Sequence, residues 1–147
     1  MRNAWAGGWL LAALALSACV SLADPWEHGR ALELAQKRYT EAIRWGDLER
    51  AARYVDPSLR ADFLALTPSF ESVRITDYEI GELDVDTDGF ESAEVDVTYH
   101  GYAMPHYLER RVSDHQTWYR DTEGGEGWRI RPELAALLEG LGARGPR

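Results

Sequence analysis

The chain has 147 residues, 45% of them hydrophobic and 28% charged, proportions that favour one globular domain over two. Its 16 Lys and Arg stand against 25 Asp and Glu, a net charge of −9 at pH 7. That balance speaks against nucleic acid as a partner and against adsorption to anionic lipid through a basic patch, since both need positive potential. The single cysteine, Cys19, leaves no internal disulfide, so the folded part must stand on packing.

At the N-terminal end, Arg2 is followed by the uncharged run AWAGGWLLAALAL at 4–16. The run is too short to cross about 30 Å of hydrocarbon, which takes about 20 residues. It fits the apolar core of a secretory signal peptide, with small residues after it. Leu16-Ser17-Ala18-Cys19 resembles the lipobox of bacterial lipoproteins, an aliphatic residue, two small residues and the modified cysteine. The resemblance implies that residues 1–18 are a signal peptide cleaved before Cys19, and that Cys19 carries a diacylglyceryl thioether and an N-acyl chain. Two acyl chains already anchor stably, at about 0.8 kcal/mol per buried CH₂. Val20 follows the cysteine rather than Asp, which by the same resemblance implies the periplasmic face of the outer membrane. The membrane is then a partner through the lipid on Cys19, and residues 19–25 are a lipidated tether. Loss of Arg2 with the leader leaves 15 basic residues against 25 acidic ones.

A single domain is expected over 26–140, with a flexible tail at 141–147. Asp24-Pro25 is a helix start, an N-cap followed by proline at the first helical position. Leu32, Ala35, Tyr39, Ala42 and Ile43 then fall at helical spacing as far as Trp45. Gly46 ends that helix and Asp47 caps a second, DLERAARYV. Asp56-Pro57 starts a third, PSLRADFLAL, which Thr67-Pro68 closes. From Phe70 the character changes to strand. SVRITDYEIGELDVD alternates with phase shifts near Thr76-Asp77 and Gly81, which predict bulges in a bent strand. Thr87-Asp88-Gly89 is a hairpin signal. FESAEVDVTYHGYA then alternates cleanly, with Ala93, Val95, Val97, Tyr99 and Gly101 on a buried face and Glu94, Asp96, Thr98, His100 and Tyr102 opposite. HYLERRVSDHQTWYRD is a third strand, TEGGEG a turn, WRIRP a short last strand and ELAALLEGL a terminal helix.

Helices followed by an antiparallel meander give an α+β fold, one long and two short N-terminal helices packed on a bent sheet of about four strands. The stretch RYTEAIRWGDLERAARYVDPSLR and the closing QTWYRD…GWRI hairpin resemble the nuclear-transport-factor-2-like proteins of the cystatin-like superfamily, over about Trp26 to Pro132. The resemblance implies a cone-shaped domain, and a superfamily that includes isomerases, dehydratases, ligand binders and assembly modules. Its enzymes place a carboxylate, His or Tyr inside the cone, where burial tunes acid and base strength.

On the predicted buried face Tyr99 is the only titratable group that the second strand offers. Asp114 and His115 are weaker catalytic candidates, because the phase of their strand is open. Tyr39, Trp45, Tyr99 and Trp118 could line a mouth that binds a hydrophobic or carbohydrate ligand. His100, His106 and His115 share no metal-ligand spacing, so neither metal nor cofactor is expected. Glycine-rich Glu123–Gly127 leads into a strand and reads as a turn, not a phosphate cradle. The expectation is therefore a membrane-anchored periplasmic lipoprotein with a non-catalytic binding or assembly role. Its rivals are an acid–base enzyme of isomerase or dehydratase type with a Tyr/His/Asp site, and a self-associating module that dimerises through the outer sheet face.

Overall fold

The computed structural model describes residues 25–86, 88, 90–123 and 127–143. The leader and residues 19–24 of the expected tether, Cys19 among them, lie outside the described residues, as do Thr87 and Gly89 of the expected hairpin turn and residues 144–147 of the expected tail; Pro25, assigned to the tether by sequence, is the first residue of a helix.

The first helix, α1 (Pro25–Trp45), buries Leu32, Ala35, Gln36, Tyr39, Thr40, Ala42 and Ile43, a stripe repeating every three to four residues. Gly46, at φ +72°, ends it. The Gly46 N–H donates to the Ile43 carbonyl and the Asp47 N–H to the Ala42 carbonyl, a Schellman closure that needs a residue tolerant of left-handed backbone. Asp47 then caps α2 (Leu48–Ala52), its carboxylate accepting from the Arg50 N–H at 3.0 Å. Two residues thus reverse the chain. After α2, Val55 bridges Ile130 in parallel, and Asp56 opens a turn into α3 (Arg60–Ala65).

Thr67-Pro68, expected to close the third helix, instead starts a single further turn, α4 (Thr67–Phe70). Proline near a helix start lacks only an N–H that has no intrahelical partner anyway, so the signal for a stop serves equally as a start.

The sheet has the order β1 (Val73–Val85), β2 (Ser92–Ala103), β3 (Arg110–Asp121), β4 (Gly127–Arg131), all antiparallel. Register shifts between β1 and β2 fall at Ile75/Asp77 and Ile80/Leu83, where the sequence loses phase. Beside the first shift a side chain on Gly101 would lie 2.6 Å from the Arg74 carbonyl oxygen, so only glycine lets the strands approach. The third strand begins at Arg110 rather than His106, because a turn closed by the Tyr107 N–H on the Ala103 carbonyl occupies the preceding residues. The closing helix α5 (Leu134–Gly140) sits against β3 and buries Leu134, Leu137 and Leu138. Leu141, assigned to the tail by sequence, is 1% exposed and belongs to the core. The architecture is the expected α+β one, five helices on a four-stranded antiparallel sheet.

α1 lies against the inner face and touches both sheet edges. Arg44 donates to the Thr76 carbonyl on β1 at 2.9 Å, and the Trp128 indole on β4 donates to the His28 carbonyl at 3.2 Å. A third tie is polar: the Asp56 carboxylate accepts from the Ser58 N–H (2.9 Å) and hydroxyl (2.7 Å), the Tyr119 phenol (2.9 Å) and Arg131 Nε (3.2 Å). It clips the loop after α2 to the β3–β4 hairpin.

Candidate active site

Strand period and register determine what faces α1. In the β2–β3 ladder Val95 stands opposite Gln116, Val97 opposite Asp114, Ala93 opposite Trp118 and Tyr99 opposite Val112. Since the even residues of β3 share the face of the odd residues of β2, Asp114, Gln116 and Trp118 enter the core beside Tyr99. From above, α1 contributes Gln36, Tyr39 and Thr40, which lie on its buried stripe.

These polar groups are joined. The Gln116 amide Nε2 donates to Asp114 Oδ2 at 3.0 Å and reaches the Tyr99 hydroxyl oxygen at 3.5 Å. Its carbonyl accepts from the Trp118 indole N–H at 3.2 Å. On the α1 side Gln36 donates to the Thr40 hydroxyl at 3.0 Å. With the Gln116 NH₂ aimed at its oxygen, the Tyr99 phenol does not spend its proton on that amide. Tyr39 meets Trp118 edge-on at 5.7 Å and Phe63 at 6.5 Å, closing the apolar side.

Burial dominates the electrostatics. Desolvation pushes the Asp114 carboxyl above its usual range, while the Gln116 hydrogen bond pulls it partly back and the charge of Glu133 adds to the rise. Tyr99 and Tyr39 are raised first by burial and then by neighbours, Asp114 among them, so both phenols stay protonated donors. At 8% exposure Asp114 is the member of this network that retains most contact with solvent.

The sequence-predicted residues separate sharply. Tyr39, Tyr99, Trp118 and Asp114 come together in the core. Trp45 does not: it is 69% exposed at the end of α1, with the Arg44 guanidinium 5.1 Å above its ring, so the four aromatics form no common mouth. His115 points outward, bonded to Asp96 at 2.8 Å with Glu94 at 3.8 Å, because it is one residue out of phase with Asp114. On the same outer face His100 lies 3.7 Å from Glu79 and 3.9 Å from Glu109. Among the described residues no three His, Cys, Asp or Glu side chains gather as metal ligands. Gln116, Gln36 and Thr40 were missed. The signal for Gln116 was present, since an inward Trp118 places 116 and 114 inward two and four residues earlier.

No family model matches the chain and no curated protein matches it significantly. Solved structures do. A candidate polyketide cyclase from Xanthomonas campestris pv. campestris superposes with a TM-score of 0.51 at 9% identity, covering 78% of this chain and 98% of its own. A candidate dehydratase of the nuclear-transport-factor-2-like family from Streptomyces avermitilis gives 0.51 at 15% identity, covering 73% and 93%. The fold is nuclear-transport-factor-2-like. Within it the expectation of a non-catalytic binding or assembly module fails. That expectation rested on Tyr99 standing alone inside, and Asp114 stands there with it, joined through one amide, in a fold whose similar structures are described as a cyclase and a dehydratase.

Proposed function

We propose that the domain is an acid–base enzyme of isomerase or dehydratase type acting on a neutral, largely apolar carbonyl compound. The observation that carries this reading is the Asp114–Gln116–Tyr99 constellation: a raised, buried carboxyl and a protonated phenol held by the same amide. A carboxylate in a dry site is a stronger base than in water, and its elevation brings it nearer to the pH at which it must work. Asp114 takes a proton from the carbon next to the carbonyl. Tyr99 donates its hydrogen bond to the oxygen on which negative charge develops, as a preorganised donor in a low-dielectric setting. Return of the proton to another carbon completes an isomerisation; departure of a β-hydroxyl with a proton completes a dehydration. The apolar and aromatic side chains packed about the pair, Tyr39, Trp118, Val95 and Val97, support a substrate without formal charge.

Deuterium incorporation tests this directly. Incubated in D₂O with a panel of enolisable and β-hydroxy ketones, the protein is expected to exchange or dehydrate members of it, and Asp114→Asn to lose on the order of 10²–10⁴ of that rate. Tyr99→Phe should lose less, and in kcat. Exchange at the wild-type rate by Asp114→Asn removes the proposed base.

We propose separately that the domain is held at a membrane. The lipobox pattern Leu16-Ser17-Ala18-Cys19 behind the apolar run supports acylation of Cys19 and residence at the periplasmic face of the outer membrane. No helix among the described residues is long and apolar enough to cross a membrane. Cys19→Ser should therefore leave the membrane fraction or remain uncleaved at the inner membrane, and normal processing and fractionation of this variant would refute the anchor.

A further inference from the structure

We infer that Trp118 is a positioning residue for the Asp114–Tyr99 pair, acting through the Gln116 amide whose orientation its indole N–H fixes. This rests on the acid–base reading above for its functional meaning, though its geometry does not. A glutamine amide has two ends, a carbonyl that only accepts and an NH₂ that only donates, and either can occupy the same space after a half-turn. What decides the turn is an unambiguous neighbour. Asp114 is ambiguous, since a protonated carboxyl donates and an ionised one accepts. Tyr99 is ambiguous too, since a phenol does both. Trp118 is not: an indole N–H can only donate.

Lying 3.2 Å from Gln116 Oε1, the indole holds the carbonyl end toward itself and leaves the NH₂ end facing Asp114 Oδ2 at 3.0 Å and the Tyr99 oxygen at 3.5 Å. Register makes the relay possible. Residues 114, 116 and 118 alternate onto one face of β3, so three consecutive inward side chains are acid, amide and indole. All three are held in the core, Gln116 and Trp118 at 0% exposure, and the Trp118 ring is pinned by Tyr39 at 5.7 Å and Tyr54 at 6.5 Å. The consequence is a bias on the proton. An NH₂ facing Asp114 stabilises the carboxylate, the form that can accept a proton, and an NH₂ facing Tyr99 leaves the phenol hydrogen free for substrate. A carbonyl in that place would do the opposite at both groups, favouring the protonated acid and capturing the phenol proton. Trp118 therefore keeps the pair in its working arrangement without touching either member.

The test is the titration of the Asp114 carboxyl carbon by NMR in the whole folded domain, which reads the amide's orientation whether or not any substrate is ever found. The charged and titratable groups that bear on it are Glu133 beside α5, Tyr39 on α1, Tyr99 and Asp96 on β2, and His115 on β3. None of them is altered by the variants. Trp118→Phe keeps an aromatic ring, smaller than the indole, and deletes the donor; the Asp114 titration is expected to move to higher pH. Gln116→Leu should move it the same way, and the double variant no further than Gln116→Leu alone, since both act through one amide. A Trp118→Phe protein whose Asp114 titrates as in the wild type, or shifts additive in the double variant, would overturn the relay. Should Trp118→Phe fail to fold, the wild-type protein supplies the same decision. Gln116 Nε2 protons must show stronger nuclear Overhauser contacts to the Tyr99 ring than to the Trp118 indole proton, and the reverse order of intensities overturns the inference. Absence of ketone exchange alongside the expected titration shifts would remove the enzyme reading and leave the relay standing.

Discussion

Two aspartates in this molecule have opposite fates. Asp114 lies inside the sheet, where one amide donates to it, and burial outweighs that bond so that its carboxyl is pushed up. Asp56 sits on the clip between the α2–α3 loop and the β3–β4 hairpin, where the Ser58 hydroxyl and N–H, the Tyr119 phenol and Arg131 hold it far below the usual carboxylate range. The difference is the number of donors against the degree of desolvation, not the residue. One carboxylate is fully satisfied and stabilises the fold. The other is under-satisfied and available for chemistry, as functional sites commonly are.

The contrast breaks most visibly when a second acid is placed beside the first. Val97 is wholly buried and stands opposite Asp114 in the ladder. Val97→Asp would desolvate a second carboxylate directly against one already strained by burial. Loss of the cooperative unfolding transition in urea is expected. The neighbouring Asp96→Val, on the outer face, should fold. A normal melt for Val97→Asp would mean that the inner face is not dry.

Removing the satisfied acid comes next. Asp56→Ala deletes a charged acceptor of four hydrogen bonds and should cost about 2–3 kcal/mol at pH 7, in the range of bonds to charged groups. The sign of its pH dependence follows from a lowered folded-state pKa. Asp56 contributes stability above the unfolded carboxylate range near pH 4 and loses it as pH falls through the folded value. The gap between wild type and variant should therefore be open at pH 7 and narrow steadily in acid. A gap independent of pH would show that the clip works by packing alone.

The clip and the network were not equally readable from sequence. Gly46 and Asp47 marked the end of α1 and the start of α2, because they act through local backbone geometry; Asp56-Pro57, expected to start the third helix, instead forms a turn closed on Ser58, and α3 begins at Arg60. Loss of alternation at Thr76 and Gly81 marked the bulges, for period two leaves no freedom in which residue slips. The β2 faces were legible for the same reason. In β3 the odd residues are Ser113, His115 and Thr117 and the even ones Asp114, Gln116 and Trp118, polar on both faces except for Trp118. No hydrophobic pattern fixes the phase of such a strand; only its register against Val95 and Val97 does, and that is a tertiary fact. Trp45 misled for another reason: an aromatic close to a buried helical stripe is core by default, but it falls on the side of α1 turned away from the Leu32–Ile43 stripe.

Asp114→Asn sharpens the comparison from the other side. Asparagine can accept the Gln116 hydrogen bond without the charge, so at pH 7 the variant should be more stable than wild type. A gain on the order of 1 kcal/mol is expected, because imperfectly compensated buried polar groups cost roughly 1–3 kcal/mol. A carboxyl whose folded-state pKa is raised contributes stability below its unfolded range and loses it as pH rises through the folded value. The advantage of the variant should accordingly vanish below about pH 4. Equal stability at pH 7 would place Asp114 in a solvated position and weaken the case for it as the base.

The smallest effect belongs to the residue beside it. His115 is exposed on the outer face, and its hydrogen bond to Asp96, reinforced by the charges of Asp96 and Glu94, raises its pKa. The sign is the reverse of Asp56: a raised histidine stabilises fully below its unfolded value near pH 6.5 and ceases to as pH rises through the folded one. His115→Gln should therefore be indistinguishable from wild type at pH 9 and slightly less stable at pH 5. That difference should shrink in high salt, since solvent screens exposed pairs. The proposed ketone exchange should be unaffected, because His115 faces away from Asp114 across the thickness of the sheet. A loss of exchange comparable to that of Asp114→Asn would transfer the acid–base role to the outer face and overturn the assignment of the inner one.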